Sequence, residues 1–223
     1  MKKIDRSKSV TPLCLSSFTH TLHSWDNVTK KNKRKIWVEL GKIQDGFCVY
    51  CEKNAQKGDG HIEHFFHKGE DDSGQYPFKH LTFDWNNLFG CCNSKEHCGH
   101  YKDQKLPGGK HRVYDPLKLI KSDKENPEDY FNFSASGNIL VKNMLTSEKR
   151  DKAEETIKAL NLTAPSLVSS RKEQIDTCGA RLSALEAMLT TENQDQYIQE
   201  YNLIKDEFST QKHRTAVKAI YFI

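Results

Sequence analysis

Two cysteine pairs constrain this chain more than any other feature. Cys48-Val-Tyr-Cys51 is a C-x2-C knuckle, and Cys92 and Cys98 follow as a second pair after a stretch rich in histidine, acid and asparagine. Two thiolates from one tight turn can reach a tetrahedral zinc at about 2.3 Å, and a second pair completes such a site. Cys92 is the preferred third ligand. Its neighbour Cys91 is the alternative, and otherwise points into the core as a small apolar side chain. A disulfide framework does not suit seven cysteines behind a basic Met1-Lys-Lys3 start that lacks an apolar signal segment. Cys14 and Cys178 stand alone and read as ordinary buried thiols. Zinc binding worth on the order of 10 kcal/mol would hold a region with few apolar residues of its own.

The residues between the pairs carry candidate chemistry. His61-Ile-Glu63-His64-Phe-Phe66 reads as a strand, and a second short strand is expected near Leu81 to Trp85. A helix bearing the second cysteine pair and His100 would close a ββα unit. Adjacent strand residues face opposite ways, so Glu63 and His64 must do different jobs. Hydrolysing a phosphodiester needs an activated water and a cation to neutralise the phosphate. A neutral imidazole serves the first need near pH 7, and a hard ion such as Mg²⁺ or Mn²⁺ serves the second. For His20, His23, His80, His111 and His213 the reading is a surface or hydrogen-bonded core residue, whereas His67 and His97 are left unassigned.

In order, C-x2-C, Glu63-His64, Asn87-Leu88 and a cysteine-bearing helix ending in His100 near Lys102 resemble the HNH (ββα-metal) endonucleases. The fuller runs His61-Ile-Glu-His-Phe65, Phe83-Asp-Trp-Asn-Asn-Leu-Phe-Gly-Cys91 and His97-Cys-Gly-His-Tyr-Lys-Asp103 are similar to the PtuB effectors of Septu-type and retron-linked anti-phage systems. The similarity covers about Phe47 to Lys105 and continues weakly over Ala153 to Leu162. It implies that His64 is the general base, that Glu63 and His100 hold a divalent metal with His61 as a further ligand, and that Asn87 orients the base. It also implies a PtuA-like ATPase partner, with a retron reverse transcriptase and its RNA–DNA product as a further member. One departure stands out: Gly99, not His or Asn, directly follows the last cysteine.

Composition frames this site. With 29% charged residues and no apolar run of membrane length, the chain reads as soluble and cytoplasmic. The net charge of +4 is weak evidence for nucleic acid. Its distribution says more: Lys33 and Arg34 lie in one basic run, and Lys102, Lys105, Lys110 and Arg112 follow the site, so these are the candidate phosphate contacts. No Gly-rich phosphate loop occurs.

The expected architecture is α+β. Residues 1–45 form a basic segment with a helix over Val28 to Leu40, residues 46–112 the zinc-stabilised nuclease core, and residues 113–223 a hairpin plus helices suited to partner docking. The hairpin is expected around Ser-Gly-Asn in 130–141, with helices beginning at Thr146 or Ser147, at Pro165, and over Gln194 to Lys218. The function this implies is metal-dependent cleavage of nucleic acid, DNA before a structured RNA such as tRNA. The competing reading is a zinc-dependent module that binds nucleic acid or protein without catalysis.

Overall fold

Thr29 opens the first long helix by accepting a hydrogen bond from the Asn32 amide, and α1 then runs Lys30–Gln44. The computed structural model describes residues 1–190 and 193–222. Ile36, Leu40, Ile43 and Gln44 form the buried stripe of α1, so the helix starts two residues later and ends four later than its sequence pattern suggested. The side-chain amide of Gln44 donates to the Gly90 carbonyl at 2.9 Å and accepts from the Gly90 amide at 2.7 Å, pinning the helix to the sheet.

That sheet pairs β1, Gly60–His64, antiparallel with β2, Leu88–Cys92, in a register that sets His61 opposite Cys91 and His64 opposite Leu88. The second strand therefore lies later than expected. The 81–85 region forms single 3-10 turns, Lys79–Leu81 and Trp85–Asn87, because the Asp84 carboxylate caps the second turn through the Asn86 amide. β2 is buried along its whole length, which suits a continuous apolar run rather than alternation. A short helix α2, Cys98–Lys102, packs back on β2. It carries Cys98 and His100 but not Cys92, which ends β2.

Beyond the site, β3 (Phe131–Phe133) and β4 (Ile139–Val141) form the hairpin that the Ser-Gly-Asn turn suggested. Gly137 is required there: its φ is 84°, and a Cβ would lie 2.3 Å from the Val168 carbonyl oxygen. Thr146 caps α3, Ser147–Leu160, and Pro165 occupies the first turn of α4, Pro165–Glu186. The expected last helix is two, α5 (Gln194–Ser209) and α6 (Arg214–Tyr221), broken where His213 adopts the left-handed conformation. Ile175, Cys178, Leu182, Ile204, Phe208 and Val217 knit α4, α5 and α6 into an apolar cluster. The fold is thus mixed α+β.

Met1 and the start of α6 both meet the turn after the cysteine knuckle, the Met1 ammonium lying 3.8 Å from the Glu52 carboxylate. The His213 amide donates to the Glu52 carbonyl, its Nδ1 to the Cys51 carbonyl at 2.8 Å, and the Thr215 amide to the Glu52 carboxylate.

Candidate functional site

Glu52, with φ of 61°, lets the chain turn back after Cys51, and both knuckle thiols point inward. Cys48, Cys51, Cys92 and Cys98 are all buried, and their sulfurs lie within 4.8 Å of one another. The Cys51–Cys92 separation is 3.7 Å. Two sulfurs bound tetrahedrally to one zinc stand about 3.8 Å apart, so the cluster fits a structural ion of that class. Burial pushes the Cys51 and Cys98 thiols up, while hydrogen bonds from neighbouring thiols hold Cys92, and Cys48 against its burial, well below the ordinary range. The close approach of four sulfurs is what calls for a cation once all are ionised. Cys92 is the member of this group, as expected. Cys91 is fully buried in the core cluster, in line with its expectation, and its sulfur also lies 3.7 Å from that of Cys48, on the strand face it shares with His61 and Glu63.

The strand pleat puts Glu63 and His64 on opposite faces. Glu63 is 3% exposed and fully engaged: Oε1 meets Lys102 Nζ at 3.1 Å and accepts from the Tyr50 hydroxyl at 3.3 Å, and Oε2 meets His61 Nε2 at 3.2 Å. Burial by itself would raise this carboxyl, but the Lys102 ammonium and His61 outweigh it and hold it at about 2. The same carboxylate raises His61 despite the ring's burial. Lys102 also pairs with Asp103 at 2.5 Å and is held well above the usual lysine range by Asp103 and Glu63, against its burial.

On the other face, His64 is buried, and its Nε2 lies 3.0 Å from the Thr82 carbonyl. A carbonyl can only accept, so Nε2 carries the proton and Nδ1 keeps the lone pair. The Trp25 ring packs edge-on against the imidazole, 4.5 Å between centroids. Burial, helped by the Lys68 charge, pushes His64 down to about 3, so it is a neutral base at pH 7.

Asn87 holds the loop around this imidazole. Its Oδ1 accepts from the Phe66 amide at 2.8 Å, and its Nδ2 donates to the Phe66 and Leu81 carbonyls, both at 3.1 Å. The chain leaving His64 and the chain entering β2 are thereby clamped together. His100 is exposed, its ring stacked on that of His61 at 3.9 Å between centroids rather than joined to the close group that His61 makes with Glu63 and Cys91. A Cβ at position 99 would lie 2.2 Å from Glu63 Oε2, so a larger residue there must displace that carboxylate.

The candidate phosphate contacts divide. Lys102 is 1% exposed and locked between Glu63 and Asp103, which removes it from that role. Lys105 and Lys110 are exposed, the former beside Glu70 at 3.5 Å, and Arg112 stacks 3.7 Å above the Tyr101 ring. Arg34 is exposed, and Lys33 lies 5.7 Å over Trp25, which brings the start of α1 to the His64 side of the molecule. Sequence reasoning missed Trp25, Tyr50, Thr82 and Asp103. No linear spacing announces them, since each reaches the site through the fold.

No protein-family model matches the chain. The chain is 26% identical over 148 residues to the "Retron Vc95 putative HNH endonuclease" of Vibrio cholerae serotype O1 biovar El Tor, across 65% of this chain and 65% of that protein. It thus spans less than two thirds of that relative's length. This distant likeness to a protein named as an HNH endonuclease stands beside a buried cysteine cluster on a mixed α+β fold. Among the described residues no helix is long and apolar enough to cross a membrane.

Proposed function

We infer that this protein is a metal-dependent endonuclease of the HNH type, and that the β1–β2–α2 segment is its ββα-metal core. The observation that carries the reading is the clamp around His64: a neutral, buried imidazole with Nε2–H committed to Thr82, its loop closed by Asn87, next to an ionised Glu63. In the reaction, His64 Nδ1 takes the proton of the attacking water. Asn87 fixes the loop that aims the ring, and Lys102 keeps Glu63 ionised without itself meeting solvent. Glu63, His61 and His100 are the groups that would hold a divalent cation, which when bound supplies charge neutralisation at the phosphate. Lys105, Lys110, Arg112, Lys33 and Arg34 remain the backbone contacts, and Zn²⁺ in the four-cysteine cluster the structural ion.

The substrate favoured is DNA, with tRNA or another structured RNA as the alternative, since such a site sees mainly phosphate and sugar. The reading includes a cytoplasmic defence role with a PtuA-like ATPase, alone or alongside a retron reverse transcriptase. Met188, Leu189, Ile198 and Leu203, exposed on the helical region, are the expected docking face. A second reading, a zinc-dependent binding module without catalysis, draws support from Gly99 at the position where the resemblance expects a ligand and from Lys102 on the Glu63 carboxylate.

Plasmid DNA and total tRNA incubated with the full chain, with and without the ATPase and with Mg²⁺ or Mn²⁺, separate the two. Cleavage abolished by chelator and reduced roughly 10²- to 10⁴-fold by His64→Ala supports the nuclease. Intact substrates in every lane, from protein that holds zinc, support the binding module.

A further inference from the structure

The Cys91 thiol belongs to neither role described so far. It is fully buried, yet its sulfur, a ring nitrogen of His61 and a carboxylate oxygen of Glu63 lie within 4.8 Å of one another. The ladder dictates this grouping: His61 pairs with Cys91 across the strands, and Glu63, two residues on, shares their face. Each donor is also oriented from behind. His61 Nδ1 engages Asn93 Oδ1 at 3.2 Å, which turns Nε2 toward Glu63 Oε2 at 3.2 Å. Glu63 Oε1 is tied by Lys102 and Tyr50, leaving Oε2 as the ligand atom. The Gly99 amide points at the Cys91 sulfur at 3.4 Å. Ligand atoms steadied by such outer partners are the usual construction of a metal site.

We propose that the divalent cation of the nuclease site, the second ion beside the structural one, is bound by His61 Nε2, Glu63 Oε2 and Cys91 Sγ in place of His100, and is a borderline cation of the Zn²⁺ or Co²⁺ class rather than Mg²⁺. The proposal deepens the nuclease reading, on which it rests for the ion's purpose but not for its binding. Ligand softness selects the ion: a hard, oxygen-seeking Mg²⁺ gains little from a thiolate, whereas a mixed nitrogen, oxygen and sulfur set suits borderline ions. The 3.2 Å between His61 Nε2 and Glu63 Oε2 is already close to the separation of two such ligands on one zinc, about 3.3 Å from bond lengths near 2.0 Å. Three protein ligands leave a fourth position. A water or a substrate oxygen would fill it, and the ligand nearest solvent is the half-buried His61, on which the exposed His100 ring stacks. Cys91 stands 3.7 Å from Cys48, so the two ions would sit back to back, and Lys102 offsets the negative charge gathered there.

Cobalt tests this on the full chain. Metal-free protein titrated with Co²⁺ should take up two ions, with thiolate-to-cobalt absorption growing across both equivalents. Cys91→Ser and His61→Ala should each take up one, while Cys178→Ser, distant from both clusters, should keep two. Should Cys91→Ser fail to fold, His61→Ala decides, because its ring is partly exposed and its loss leaves the four-cysteine cluster intact. One ion in the unaltered chain, two in His61→Ala, or displacement of the second cobalt by excess Mg²⁺ would overturn the site. Undiminished Mg²⁺-dependent cleavage by a chain holding one ion overturns it too and leaves the nuclease reading standing. Two ions with no cleavage of any nucleic acid does the reverse.

Discussion

The sheet that carries the candidate site and the helical cluster behind it are buried to similar depth by opposite means. Around β1 and β2 the interior holds Glu63, His64, Asn87, Lys102 and five cysteines, each with a specific partner. Across α4, α5 and α6 it holds Ile175, Leu182, Ile204, Phe208 and Val217, which need only neighbours of the right size. A buried polar group is stable only while its partner is present, whereas an apolar cluster loses stability in proportion to area. The first region should therefore fail in whole units and the second by degrees. That contrast is what a chemical site embedded in a scaffold would be expected to look like.

The sharpest way to break the contrast is to remove the structural ion. Chelation, or Cys51→Ser, should cost on the order of 10 kcal/mol of the sheet region's stability. Hydrogen exchange should then find β1, β2 and the start of α6 unprotected, since His213 and Thr215 hang on Cys51 and Glu52, while the centre of α4 stays protected. Equal loss of protection in α4 would mean that the two regions form a single cooperative unit.

A smaller effect sharpens the same point. Lys102→Met keeps the volume but strands Glu63 and Asp103 without their cation, which should cost roughly 3 to 5 kcal/mol. Adding Glu63→Gln should restore part of that loss, because the two residues act as a pair. Ile175→Val in the helical cluster should cost only about 0.5 to 1.5 kcal/mol, with nothing for a second change to restore. Urea unfolding of the four proteins measures both, and a Lys102→Met loss no larger than that of Ile175→Val would sink the distinction.

How much of this was legible in the sequence follows from the range of the interactions. The C-x2-C knuckle, the Thr146 cap, the Pro165 helix start and the Ser-Gly-Asn hairpin are decided within a few residues, and the sequence pattern placed each of them. The Glu63–His64 alternation was readable for the same reason, since a pleat separates neighbours wherever the strand pairs. The register was not readable: that Cys91, buried in the core, also meets His61 depends on which β2 residue lies opposite, and β2 itself starts later than the local signal suggested. Lys102 reads as a phosphate contact because it lies next to the candidate chemistry in sequence, and only the fold brings Glu63 to it. Trp25 reaches His64 from the segment before α1, a contact without any sequence periodicity to announce it.

The mildest test uses protons, because the two regions share one response and differ in another. His64 in the sheet region and His213 at the α6 start are each buried and neutral, and burial pushes both from 6.5 to about 3. Between those values the unfolded chain binds protons that the folded chain refuses, so their contribution is complete above pH 6.5 and is lost as pH falls toward 3. Each loses about 1 kcal/mol over the first pH unit below 6.5 and about 1.4 kcal/mol per unit further down the window, so lowering pH from 6.5 to 5.5 should cost about 2 kcal/mol in all. Glu63 adds a second window in the sheet region: its folded value of about 2 lies below the ordinary 4.5, so its stabilisation is lost only as pH falls through that lower range. Urea midpoints at pH 7.5, 5.5 and 4.0 should thus decline across both intervals, more steeply in the second, where the Glu63 loss adds to that of the two imidazoles. His213→Gln should flatten the first interval by about half and the second by a smaller share. A midpoint that stays level from pH 7.5 to 5.5 would mean that both imidazoles take up protons freely in the folded chain, and the description of His64 as an enclosed neutral base would fall with it.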